Sequence, residues 1–297
     1  MGQVALTIAQ ASFHFQPSSP EAPLSFHPVY APFLTEAKPS ASPADATYLV
    51  SPCVPQAWAQ DEFTDLLWDS QNWRMGHTRD GSLLGEVRRV PHDSYVQSFK
   101  MAPDFSTGTI VARSRGLEPK YTLNYPEELL VLVNRLSHLQ AGLVHSSSVL
   151  VDGKCYLFYG RSGAGKTTFG RLWRTAGFEM LCDERNVVRL IDDIPYGAST
   201  PWHGEDPLVI PGSAPLGGVF NLLQAPENKL QSLSYTEAVA QLYANTLSPF
   251  YINDGVNKVL EVYEKVLETV PSYNLYFTPD QRAIDLCLNE VIRCRAN

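Results

Sequence analysis

The chain has 297 residues, 44% hydrophobic and 11% aromatic, with 23 Lys+Arg against 31 Asp+Glu and a formal net charge of −8. That length holds one large or two smaller domains and a sizeable core. The acidic balance argues against a nucleic-acid partner, because phosphate backbones are bound through basic surfaces. No apolar run reaches the roughly 18 residues of a membrane span, so no membrane partner is expected and the expected setting is cytoplasmic.

The opening residues, MGQVALTIAQASFHFQ, lack a basic region and a long apolar run, so a signal peptide is not expected. Gly2 does not begin a myristoylation motif, since Leu6 stands where Ser or Thr is needed. VALTIAQASFHF alternates apolar with small or polar residues and predicts a strand over Val4 to Phe15. The Pro/Ser-rich stretches QPSSPEAP and EAKPSASPADAT predict loops. Between Tyr48 and Tyr121, TYLVSP, GEVRRV, TGTIVARS and KYTLNY read as short strands, with Arg79-Asp80-Gly81 as a turn. Residues 1–125 are therefore expected to form a small, mostly antiparallel β-rich domain.

The pattern changes at Pro126. PEELLVLVNRLSHLQAG has apolar residues at helical spacing, with Gly142 just past its end. LVHSSSVLV and KCYLFY follow as strands, joined at Asp152-Gly153-Lys154, a strong hairpin signal. A glycine loop, the helix TTFGRLWRTA and the strand EMLC come next, with further strands at NVVRLI and GGVFNLL. YTEAVAQLYANTL and GVNKVLEVYEKVLETV predict amphipathic helices, SYNLYF a strand, and the chain from Pro279 onward a helix. Residues 126–297 thus read as an α/β domain.

Gly160-Arg161-Ser162-Gly163-Ala164-Gly165-Lys166-Thr167 fits G-x-x-x-x-G-K-[ST], the phosphate-binding P-loop, and Thr168 follows it. The glycines let backbone N–H groups approach phosphates, Lys166 neutralises the β- and γ-phosphates, and the Thr167 hydroxyl ligates Mg²⁺. The helix that follows points its positive end at the anion. The expected ligands are ATP and Mg²⁺. Asp183 and Glu184 follow EMLC at a strand end, where acids suit metal binding and general-base work. His145 lies on a predicted inner strand, and a buried histidine is more often hydrogen-bonded structure than chemistry. Tyr196-Gly197-Ala198-Ser199-Thr200-Pro201-Trp202-His203-Gly204-Glu205 reads as an active-site loop or a plain surface turn.

The other candidates read as structural. His14, His27, His77, His92 and His138 stand singly, without partners at ligand spacing. Ser146-Ser147-Ser148 lacks the G-x-S-x-G context of a nucleophile. Cys53, Cys155, Cys182, Cys287 and Cys294 form no C-x-x-C pair, so a zinc site of the usual spacing is absent. Cys155 and Cys182 fall in apolar strand-like runs and are expected to be buried.

The order LVHSSSV, YGRSGAGKTTF, LCDER, YGASTPWHGE resembles the kinase domain of HPr kinase/phosphorylase. More closely, it is similar to the HPr-kinase-like, phosphoenolpyruvate-carboxykinase-related proteins of about this length. The resemblance covers roughly Pro126 to the C-terminus, and the N-terminal part resembles that same group rather than the N-terminal domain of true HPr kinase. It implies a P-loop domain on a mixed sheet, with His145 near the transferred phosphate and the Gly160–Thr168 loop holding the triphosphate. It also implies Asp183 and Glu184 as base and metal ligand, where the family commonly has two aspartates, and Glu205 aiding metal or substrate. The C-terminal signature of true HPr kinases is absent, so HPr is not the expected substrate.

The expected function is ATP-dependent phosphorylation of a hydroxyl, on Ser or Thr of a protein or peptide, with a small-molecule acceptor and a homo-oligomer left open. Asp183 is expected to take the proton, and the β-rich half to present the substrate. The alternatives are a carboxykinase, which would need a longer chain, and a nucleotide-gated binding module without turnover.

Overall fold

The computed structural model of the chain describes residues 2–20, 24–37, 44–53, 58, 63–89, 92–112 and 121–292. The chain divides into two compact units, Met1–Leu139 with Pro249–Asn253, and Gln140–Ser248 with Asp254–Asn297. In this division the helix α1 (Glu127–His138), expected to open the second domain, belongs to the first unit. Arg135 ties it there, its Nε donating to the Asp45 carbonyl at 2.9 Å and its Nη1 to the Asp104 carbonyl at 3.1 Å.

The first unit is built on one sheet. Its strands are β1 (Val4–Ile8), β2 (Ala11–Pro17), β3 (Leu34–Glu36), β4 (Ala46–Ser51), β5 (Phe63–Asp69), β6 (Trp73–Thr78), β7 (Leu83–Arg89), β8 (His92–Met101) and β9 (Thr107–Ala112). They lie in the order β3-β1-β2-β4-β9-β8-β7-β6-β5. Most pairings are antiparallel, but β2–β4 and β4–β9 are parallel, so the sheet is mixed. The single strand expected over Val4 to Phe15 is a hairpin, because Ala9 and Gln10 take positive φ (+52° and +61°) and turn the chain back. The turn at Asp80-Gly81 forms as expected, with Gly81 at φ +81°. The Asp80 carboxylate accepts from Lys100 Nζ (2.7 Å), Thr78 and Ser82, and these bonds hold it well below the usual carboxylate range. The described part of KYTLNY forms no strand. Residues 21–23 and 38–43 of the Pro/Ser-rich stretches, and Cys294, lie outside the described residues.

The second unit follows the expected order of elements more closely. It comprises β10 (Ala141–Val151), β11 (Lys154–Tyr159), α2 (Lys166–Thr175), β12 (Glu179–Cys182), β13 (Arg185–Ile191), β14 (Ile194–Ser199), β15 (Ser213–Gln224), β16 (Lys229–Ser232), α3 (Tyr235–Ala244), β17 (Thr246–Leu247), α4 (Asn253–Thr269), β18 (Ser272–Phe277) and α5 (Gln281–Cys287). The sheet runs β11-β10-β13-β14-β15-β18-β16, with β12 and β17 also paired to β10 and β11 also paired to β15. It is mixed: β11–β15 and β15–β18 are parallel, while β10–β11 is an antiparallel hairpin turning at Asp152-Gly153. β14 occupies Tyr196 to Ser199, so the first part of the expected loop is strand and only its end is loop.

Helices cover both faces of this sheet. Along β11, Cys155, Leu157 and Tyr159 enter a core with Val259, Tyr263 and Val266 of α4 and Leu242 of α3. Tyr156 and Phe158 point the other way, into a core with Phe169 and Trp173 of α2 and Ile284 of α5. This is strand alternation with a hydrophobic layer on each side. Phe158 stands 4.9 Å from Phe169, 5.0 Å from Phe220 and 5.7 Å from Trp173 between ring centroids, and these contacts clamp α2 to the sheet.

The cysteines follow the same logic. Cys155, Cys182 and Cys287 are buried and Cys53 is exposed. Burial pushes the Cys155 thiol up to about 12 and raises Cys182 and Cys287 as well. Because thiolate is the reactive form, iodoacetamide at mildly alkaline pH is expected to alkylate Cys53 and spare these three. Peptide mass mapping checks this, and labelling of the three without unfolding would contradict the packing.

Candidate functional site

Between β11 and α2 the chain makes a tight loop through Gly160 (φ +154°), Gly163 (φ +79°) and Gly165 (φ +96°). A Cβ on Gly160 would stand 3.0 Å from the Leu222 carbonyl oxygen and 3.1 Å from Ala164 Cβ, so this position needs glycine on two counts. Gly165 caps α2 without a side-chain hydrogen bond, and no acid sits in the first turn. The first N–H groups of the helix, which carries Thr167 and Thr168 in that turn, thus receive no side-chain cap from Gly165. Lys166 is 7% exposed, and its Nζ folds back to donate to the carbonyls of Gly160 (2.9 Å) and Arg161 (3.2 Å). Burial lowers its pKa, and the Glu184 charge works against that shift. Gln224, at the carboxyl end of β15, donates to the Gly163 carbonyl at 2.9 Å and braces the loop.

The acids stand after β12, which runs antiparallel to β10. His145 Nε2 lies 3.4 Å from Glu184 Oε2, and each side chain is about a third exposed (36% and 29%). The His145 hydrogen bond holds the Glu184 carboxyl below its ordinary value. Asp183 is different: it is 1% exposed, and its two oxygens accept from the backbone N–H of Gly204 (3.1 Å) and of Asp206 (3.2 Å). Through these two bonds the loop after β14 closes over the Asp183 carboxylate.

That loop contains a residue sequence reasoning missed. Glu205, the expected contributor, is exposed. The next residue, Asp206, is buried, and its Oδ2 pairs with Arg174 Nη1 (2.9 Å) and Arg171 Nε (3.4 Å) of α2. Desolvation works against ionisation of Asp206, but its hydrogen bonds and these arginines prevail and lower its pKa. Asp206 thus joins the lysine-bearing helix to Asp183. Asp206 lies 35 and 32 positions after Arg171 and Arg174, so nothing local in the sequence marks it. A Cβ on Gly204 would stand 2.8 Å from Glu184 Oε2, so a larger residue here would push the Glu184 carboxylate aside.

The serine triple plays no nucleophilic part. Ser146, Ser147 and Ser148 are fully buried, and Ser148 Oγ donates to Asn186 Oδ1 at 2.6 Å. His145, the glycine loop, β15 and the end of α3 enclose a cavity of about 850 Å³, within the range of about 300–1,000 Å³ usual for ligand sites.

Among the described residues no three His, Cys, Asp or Glu gather to hold a metal alone. The carboxylates of Asp183 and Glu184 and the hydroxyl of Thr167 are oxygen donors, the ligand type that Mg²⁺ takes together with phosphates and water. Among the described residues no helix is long and apolar enough to cross a membrane.

No protein-family model matches the chain. No curated protein matches it either. Among solved structures, a similar chain is the Hpr(Ser) kinase/phosphatase from Coxiella burnetii, 12% identical, with a TM-score of 0.31, covering 52% of this chain and 90% of that one. At this TM-score the likeness decides nothing about the chemistry.

Proposed function

We propose that the chain is an ATP-dependent kinase that transfers the γ-phosphoryl group to a hydroxyl, a Ser or Thr of a protein or peptide. The observation that carries this reading is the conjunction, in one unit, of the glycine-turned loop, the uncapped start of α2 and Lys166 with the His145–Glu184 pair. Gly160 to Ala164 and His145 line the same cavity.

The triphosphate lies along the loop N–H groups, and Lys166 offsets its charge. The acceptor oxygen forms a bond to the γ-phosphorus, the bond from that phosphorus to the β–γ bridging oxygen breaks, and ADP leaves. The hydroxyl proton passes to a carboxylate. The geometry supports Glu184 for this step, since it meets His145 of the cavity wall while each Asp183 oxygen already accepts a loop N–H. Thr167, Asp183 and Glu184 would hold Mg²⁺, which when bound neutralises phosphate charge.

Calorimetry with ATP and magnesium is expected to give micromolar to sub-millimolar affinity, with ADP formed when acceptor is present. No heat at millimolar ATP would sink the reading, and tight binding without any transfer would make the chain a binding module.

A further inference from the structure

The cavity beside the loop has a lining that specifies more than a phosphate. On the adjacent parallel strands β15 and β18, Asn221 and Asn274 stand in register, and Asn221 Nδ2 donates to Asn274 Oδ1 at 2.8 Å. That bond leaves one amide oxygen and one NH₂ group of the pair for a ligand. At the end of α3, Asn245 Nδ2 is used on the Gln241 carbonyl at 2.8 Å, leaving its oxygen. Gln241 Oε1 is buried with no hydrogen-bond partner. A buried acceptor left unmade is costly, and one that lines a cavity can be satisfied by a ligand donor.

The rest of the lining narrows the ligand class. Among the described lining residues there is no Asp, Glu or Lys and no Phe, Tyr or Trp; Arg161 on the exposed loop is the one permanent charge. A nucleobase or a sugar ring finds no aromatic face to stack on. A charged small molecule finds no counter-ion on the amide walls. Leu222, Leu247 and Ala244 offer apolar surface between the amides. Amides that present both a donor and an acceptor match the N–H and C=O of a peptide main chain. The space greatly exceeds what one hydroxymethyl group fills.

We propose that this cavity is the acceptor site, and that it takes an extended, uncharged peptide segment whose main chain the four amides bind while its Ser or Thr hydroxyl reaches the His145–Glu184 end. This rests on the kinase reading and adds the acceptor's class to it.

The test uses the full chain, ATP and three end-capped peptides. One is Ala-Gly-Ala-Ser-Ala-Gly-Ala, and the other two carry Asp or Lys on both sides of the serine. The uncharged peptide is expected to show kcat/KM at least about tenfold above both others. Asn274→Leu and Gln241→Leu are each expected to raise its KM about tenfold, the worth of one or two lost hydrogen bonds, with ATP affinity by calorimetry within about threefold. Equal use of a charged peptide, equal use of free serine, an unchanged KM in a folded Asn274→Leu variant, or no transfer to any peptide while ATP binds overturns the proposal and leaves the nucleotide reading standing. Failure to bind ATP before any peptide is added overturns both.

Discussion

Replacing Lys166 by alanine is expected to slow phosphoryl transfer by about 10²–10³ at saturating ATP, the usual cost of removing one charge-stabilising group. Lys166 is a nearly buried cation whose hydrogen-bond partners are two neutral carbonyls of its own loop. Burial already disfavours its ammonium form, and the charge of Glu184 is the opposing influence. Such a group is poised to gain from an incoming anion. Negative charge builds on the β–γ bridging oxygen as its bond to the γ-phosphorus breaks, so the loss should fall mainly on the rate and less on ATP affinity. The alanine variant also leaves the Gly160 and Arg161 carbonyls without their donor, so the loop should loosen and amide exchange there should quicken. Single-turnover transfer and ATP calorimetry on the same sample separate these effects. An unchanged single-turnover rate with weakened ATP binding would confine Lys166 to ground-state binding.

Much of the second unit was legible because its elements announce themselves through periodicity. The Asp152-Gly153 hairpin, the strand–loop–helix around Gly160 and α3 and α4 all follow from apolar spacing and glycine chemistry. Ser234 before α3 even completes a capping box with Glu237. Two of the failures share one cause, turns made by residues that are not glycine. Ala9 and Gln10 take positive φ and split an apparent strand into two. Asp192 and Asp193 (φ +50° and +61°) turn β13 into β14, and without that turn the stretch from Tyr196 looks like loop. The left-handed conformation costs such residues about 1 kcal/mol each, repaid by the strand pairing that follows, which is tertiary information.

The site was half legible for a related reason. Residues whose role is intrinsic to a local motif, Gly160 to Thr167, can be read from spacing alone. Residues whose role comes from long-range contacts cannot. Gln224 bonds to Gly163, 61 positions away, and Asp206 meets α2 35 positions earlier. Glu205 and Asp206 differ in sequence by one methylene and one position. Only burial against Arg171 and Arg174 distinguishes them.

Glu184→Gln is expected to lower transfer by about 10²–10⁴, the usual worth of a positioned acid or base, with ATP affinity within about tenfold of the parent. The glutamine keeps the shape and can still accept from His145, so folding stability should stay within about 1 kcal/mol. Asp183→Asn should behave differently. Each Asp183 oxygen accepts one backbone N–H, from Gly204 and from Asp206. An amide offers one oxygen and one NH₂, so one of those N–H groups would face a donor in a buried site. The loop must then shift, at a cost of about 1–3 kcal/mol in stability. Because Asp206 also holds Arg171 and Arg174, the disturbance should reach the lysine-bearing helix α2 and weaken ATP binding too. Urea unfolding, calorimetry and single-turnover transfer at two magnesium concentrations, run on both variants, distinguish the roles. A Glu184→Gln rate restored by excess magnesium, beside an Asp183→Asn variant that is stable yet slow, would return the proton step to Asp183. If Glu184→Gln transfers at the parent rate and Asp183→Asn is merely less stable, the acid pair only anchors the loop, and the phosphoryl-transfer reading loses its base.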